Sequence, residues 1–147
     1  MIIYIMCLGG NMDTKEIKKT TVQITGIPVV INYKDVDESI GLWIQKIQSG
    51  DELHHNFIFA KPSAKDNTIS FYTEDGIMFY ELPFENRLPA ELFSDELLVG
   101  VIYPDYPNKN LEGVSMTADI VANPKGNDKQ SAELMMFRKK MVQRFCL

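Results

Sequence analysis

Two adjacent histidines, His54 and His55, are the chain's whole imidazole complement. Imidazole is the side chain best suited to moving protons near neutral pH or to holding a transition metal. The pair lies in LHHNFIFAK, a stretch of strand-forming residues, and neighbours in a strand point to opposite faces. One metal therefore cannot take both unless the strand breaks, and no cysteine or carboxylate stands nearby at zinc-ligand spacing. A nucleophile elbow, a P-loop, a dinucleotide fingerprint and a zinc-protease helix are all missing from the sequence. The carboxylates form no acid/base pair that the sequence marks. The expected catalytic and metal sets are both empty, and the chemistry left to the chain is that of contact.

Charge and aromatic content supply the candidates for contact. Residues 74–96 carry seven carboxylates against one base, Arg87, whereas residues 125–147 carry six bases and two acids. Such a split along a chain is either a solvated face or a surface that meets a partner. In the last segment Arg138, Lys139, Lys140 and Arg144 flank an apolar stripe of Leu134, Phe137, Met141 and Phe145, with Met135 and Val142 widening it. That stripe predicts an amphipathic helix that packs on its own sheet, docks in a groove or lies on an anionic membrane. Tyr103 and Tyr106 sit in and beside a proline-rich loop, Pro104–Asn108. Tyr103, Tyr106, Arg138, Lys139 and Arg144 are the expected partner-binding residues.

The elements that would position these groups follow from periodicity. Val22, Ile24, Val29, Ile31 and Tyr33 alternate as a strand does, with Gly26 and Pro28 predicting a bend or bulge near a sheet edge. Val36, Ile40, Trp43, Ile44 and Ile47 recur at helical spacing, with Asp35 and Glu38 set as a capping box and Gly50 as a stop. Residues 53–61, 68–73 and 77–82 read as three strands, and the Asp75-Gly76 pair between the last two is a hairpin signal. Residues 83–96 are polar, with at most one helical turn near Ala90. Further strands are expected over 97–103 and 111–122, the latter with Val114, Met116, Ala118 and Ile120 on one face. The last helix spans about 128–145. The expectation is a single α+β domain over residues 1–147. Its antiparallel sheet of about six strands is strongly curved or barrel-like, with one internal helix and a C-terminal helix.

A chain of 147 residues buries enough surface to fold without a metal or disulfide. Its two cysteines, Cys7 and Cys146, read as free thiols of a reducing, cytoplasmic compartment. A net charge of −5 argues against general nucleic-acid binding, which needs clustered bases. The apolar run MIIYIMCL is too short to span a membrane. Residues 1–11 are expected to be either a first strand or a non-native extension ahead of a natural start at Met12.

Two stretches resemble known families. VVINYKDVDESIGLW looks like the opening βα unit of vicinal-oxygen-chelate proteins, but no second copy of the unit and no metal-ligand set follow it. From Leu53 onward the order of HHNFIFA, TISFYTE, LLVGVIYP, LEGVSMTADIV and a closing helix is similar to flavin-binding split-barrel proteins of the pyridoxamine-phosphate-oxidase type. That resemblance covers about ninety residues and implies FMN as cofactor, with Arg87 as the base beside its phosphate and flavin oxidoreduction as the activity. The run IMFYELP is extra to the pattern, and the family's basic cluster is missing. The reading preferred on the residues themselves is a small acidic binding or regulatory protein without a cofactor. It would act through a protein interface, by self-association as a homodimer or with another protein.

Overall fold

The computed structural model describes residues 22–49, 56–83, 97–105 and 113–145. Residues 1–11, Gly50, His54, His55, Arg87, the possible turn near Ala90, Tyr106 and both cysteines lie outside them. Among the described residues there are six strands: β1 (Val22–Asn32), β2 (Phe57–Ser63), β3 (Thr68–Thr73), β4 (Met78–Pro83), β5 (Leu98–Pro104) and β6 (Gly113–Ala122). Two helices accompany them, α1 (Glu38–Gln48) and α2 (Lys129–Phe145). All pairings are antiparallel, in the order β1-β6-β5-β2-β3-β4. The two edge strands, β1 and β4, approach each other, so the sheet curls into a half-barrel with α1 inside and α2 outside.

The curl divides the apolar residues into two cores. On the concave face Val29, Ile31, Ile58, Phe71, Ile102 and Met116 meet Ile40, Ile44 and Ile47 of α1. Phe79 packs against Trp43 of α1 at 4.6 Å between ring centroids. On the convex face Leu134, Phe137 and Met141 of α2 lie on Phe57, Phe59, Leu97 and Val99. Each fully buried side chain of this size contributes roughly 1.5–3 kcal/mol. Strand alternation delivers both cores from one chain: Phe71 faces inward, its neighbour Tyr72 outward to stack on Phe59 at 5.0 Å. The stripe Val114, Met116, Ala118 and Ile120 is at most 1% exposed and faces inward, as its spacing predicts.

Local chemistry sets the joints. Between Ile24 and Ile27 the register of β1 against β6 shifts, and Gly26 there takes a φ of +71°, which a residue without Cβ adopts freely. Its N–H donates to Asp119 Oδ1 at 2.7 Å. The β3–β4 turn runs through Gly76 at φ +83°, and a Cβ on that residue would come within 2.7 Å of the Phe145 ring. The cap of α1 departs from the capping-box expectation: Tyr33–Asp35 forms a 3-10 turn, and Asp37 is the N-cap. Its Oδ1 accepts from Ile40 N at 3.1 Å and from Ser39 Oγ at 2.6 Å. Asp128 does the same for α2, accepting from Ser131 N at 2.8 Å. The α2 stripe is narrower than its sequence suggests. Leu134, Phe137 and Met141 are buried, whereas Met135 is 40% and Met136 73% exposed, because a helix lying on a sheet buries only the arc beneath it.

Candidate functional site

On the convex side the sheet has two unequal halves. Over β2 and the first half of β5 the outward residues Phe57, Phe59 and Val99, with Leu97 just ahead of β5, are buried beneath α2, whereas Lys61 of β2 and Tyr103 near the end of β5 are exposed. Over β6 and β1 the outward residues include Thr25, Pro28, Val30, Asn32, Ser115 and Thr117, and nothing in the described structure covers them fully. The register places Pro28 opposite Thr117 and Thr117 opposite Tyr103, with Val30 opposite Ser115 in the next row. Val30 is 57% and Tyr103 41% exposed. They give this half an apolar surface on a floor of small polar residues.

Hydrogen bonds stiffen that floor. The Tyr103 hydroxyl donates to Asp119 Oδ2 at 3.3 Å, while the other oxygen of Asp119 holds the Gly26 N–H. Thr117 Oγ1 donates to Asp105 Oδ1. Desolvation against the sheet pushes the Tyr103 phenol above its ordinary value, and the charge of Asp119, its hydrogen bond and the charge of Asp105 add to the shift. Tyr103 is therefore a neutral donor held in place, and Asp105 and Asp119 make this half of the face negative.

The other expected contact residues occupy different surroundings. Lys139 is exposed on the outer side of α2. Arg138 Nε donates to the Leu97 carbonyl at 3.2 Å, which fastens the helix to the start of β5. Arg144 lies at the other end of α2, where Nη1 donates to the Glu74 carbonyl at 3.2 Å and Nη2 stands 3.6 Å from Asp75 Oδ1. The acidic and basic tracts of the sequence thus meet at the β3–β4 turn, beside the Phe145–Gly76 contact. Val30, Asp105, Asp119 and Met136 carry no signal of their own in the sequence. Their positions emerge only once β1 is paired with β6 and the buried arc of α2 is known.

A second feature lies between β4 and the start of α1. A cleft of about 420 Å³ is lined by Asp35, Asp37, Ile40, Met78, Tyr80 and Glu81 among others. Hydrogen bonds from Ser39 and Ile40 hold the Asp37 carboxyl below the usual carboxylate range. Among the described residues the cleft has three carboxylates and no cationic side chain on its walls, so it does not fit a flavin phosphate. No group of three or more His, Cys, Asp or Glu suited to a metal occurs among the described residues. No helix among them is long and apolar enough to cross a membrane.

Comparison of the chain with protein-family models, with curated proteins and with solved structures finds no match.

Proposed function

We propose that this chain is a small binding or regulatory protein that works through a protein interface formed on the convex side of its sheet. The observation that carries the reading is the half-covered face. One sheet side is sealed by α2 over β2 and β5, yet it leaves Val30 and Tyr103 exposed on a hydrogen-bonded floor. Ordered apolar side chains on a rigid element, rimmed by polar groups, are the anatomy of a protein contact. Tyrosine suits such a place because it brings large contact area at low entropic cost, with a polar tip. Arg138 and Arg144 support the site by fixing α2, and Lys139 stands free to meet a partner's acid. The sparse cysteines, two in the chain, support a cytoplasmic setting for this activity.

The test is recovery of a partner under native conditions by the tagged chain and by the variant Val30→Glu/Tyr103→Ala. The wild type should hold a protein at fixed stoichiometry, whether another chain or itself. The variant, with an unchanged far-ultraviolet spectrum, should lose it. A wild type that holds no protein, or a variant that holds the same one equally well, removes the reading.

A further inference from the structure

We infer that the occupant of the bare half of the convex face is a second copy of this chain, joined through a two-fold axis so that α2 of each protomer lies on the β6–β1 half of the other. This rests on the protein-interface reading and specifies its partner.

Shape is the first argument. A helix with its side chains is about 10 Å thick, so among the described residues α2 stands as a ridge on one half of the face and leaves the other half as a step of that height. Two such surfaces turned through a half rotation fill each other's step. The contact is self-complementary and closes at two copies, the commonest symmetry of soluble oligomers.

The chemistry of ridge and step matches as well. Outward on the ridge are Met136, Lys139 and Lys140, with Met135 and Lys129 also exposed. The helix's one acid, Glu133, is half-buried. On the step are Val30, Pro28 and Tyr103 with the carboxylates Asp105 and Asp119, and the described outward residues of β1, β5 and β6 include no base. Apolar therefore meets apolar, and lysine meets aspartate, in both halves of the symmetric contact. Methionine is suited to such a contact because its unbranched side chain adapts to the surface it meets.

The sheet edges point the same way. β1 carries Pro28 and a register shift, and β4 carries Pro83 and a register shift at Phe71/Tyr72. Proline and bulges are devices that stop an edge strand from pairing with another chain. Association by strand addition is thus discouraged at both edges, which leaves a face as the route.

The test uses the full chain and two charge variants. Lys139→Glu/Lys140→Glu reverses the ridge, and Asp105→Lys reverses the step. Light scattering at about 10 μM, where a micromolar complex is well populated, should give the wild type twice the 16.8 kDa chain mass. Each variant alone should run as a monomer, its dissociation constant raised about a hundredfold or more. Mixed in equal amounts they should recover the dimer, because both contacts of the mixed pair are again complementary. That recovery also shows that both variants fold. Met136→Glu provides a second ridge variant at a position too exposed to affect the fold, and it too should be monomeric. A monomeric wild type, a dimer indifferent to the ridge variants, or a mixture that stays monomeric overturns the inference. A monomeric wild type that still holds another protein through Val30 and Tyr103 would remove this inference alone. One that holds nothing would remove the interface reading with it.

Discussion

The two halves of the convex face are built from one sheet with one alternation, yet they carry different residues. Beneath α2 the outward positions hold Phe57, Phe59, Tyr72, Leu97 and Val99, packed with Phe137 and Phe145. Ring centroids there lie 5.0–5.5 Å apart. Over β6 and β1 the same positions hold Thr25, Asn32, Ser115 and Thr117, with Pro28 and Val30 as apolar members and Tyr103 at the end of β5 beside them. Both halves lie over the same concave core, so inward packing does not distinguish them. What a strand writes on its outward side is set by what lies above it. The covered half holds the fold together. The bare half is ordered by side-chain hydrogen bonds and leaves Val30 and Tyr103 exposed.

The largest expected contrast comes from cutting each half in turn. Phe59 is 2% exposed and touches the rings of both Tyr72 and Phe145. Phe59→Ala should cost about 3–5 kcal/mol, the range for deleting a buried aromatic and leaving a cavity. Urea denaturation of the monomeric ridge variant reads this without a contribution from association. A cost near that of a surface substitution would mean that α2 does not seal this half in solution.

How much of this arrangement is legible in the sequence depends on the range of the contacts involved. The β3–β4 hairpin can be read from TISFYT, Asp75-Gly76 and IMFYEL, because its pairing and its turn are neighbours in the chain. The inward stripe of β6 and the buried residues of α2 follow from local periodicity alone. The pairing of β1 with β6 does not, because Val22 meets Ala122 across about two thirds of the chain. Without that pairing, Val30 cannot be set beside Ser115, nor Gly26 beside Asp119. The exposure of Met135 is hidden for a different reason: periodicity marks a stripe but not the width of the arc that a sheet covers. Asp35 and Asp37 are equally good caps by type, and the 3-10 turn at Tyr33–Asp35 moves the helix start to the second.

The next test acts on the latch at the end of the ridge. Gly76 combines a positive φ with the Phe145 ring in the space that a Cβ would enter, and Arg144 ties the same turn to α2. Gly76→Ala should cost roughly 1–3 kcal/mol through backbone strain and a displaced ring. Amide exchange should show the loss concentrated in the last turn of α2. The Arg144–Asp75 pair is exposed on both sides and should matter little, so Asp75→Ala serves as the control. A uniform loss of protection throughout the sheet would show that the latch is not local.

On the bare half Asp119 has the corresponding role, since one carboxylate serves both the bulge and the tyrosine. Asp119→Ala should cost about 1–2 kcal/mol, the net worth of the two exposed hydrogen bonds it makes to Gly26 N–H and the Tyr103 hydroxyl. It should also move a titration. The Tyr103 phenol is raised above its ordinary value by desolvation and by Asp119. The neutral form is therefore favoured in the fold, and the stability it gives is complete below the unfolded value of about 10. That stability is lost as pH rises through the higher folded value. Phenolate absorbance, assigned by difference with Tyr103→Phe, should shift to lower pH in Asp119→Ala. An unmoved titration would mean that the hydroxyl is not on Asp119 in solution.

The smallest effect is also the one that separates the monomer from its assembly. Val30 is 57% exposed in the single chain, so its methyl groups lose little water on folding, and Val30→Ala should change monomer stability by no more than about 0.5 kcal/mol. In a two-fold dimer the same side chain lies beneath the partner's α2, and its removal acts at both symmetric contacts. Measured by denaturation at rising protein concentration, wild type and Val30→Ala should coincide when dilute and diverge when concentrated, with the wild type gaining midpoint and the variant gaining less. Curves that stay together at every concentration would place Val30 outside any interface. Curves already apart at the dilute end would mean that another part of this chain covers it. Only the concentration-dependent separation makes the bare half a surface held open for a second copy.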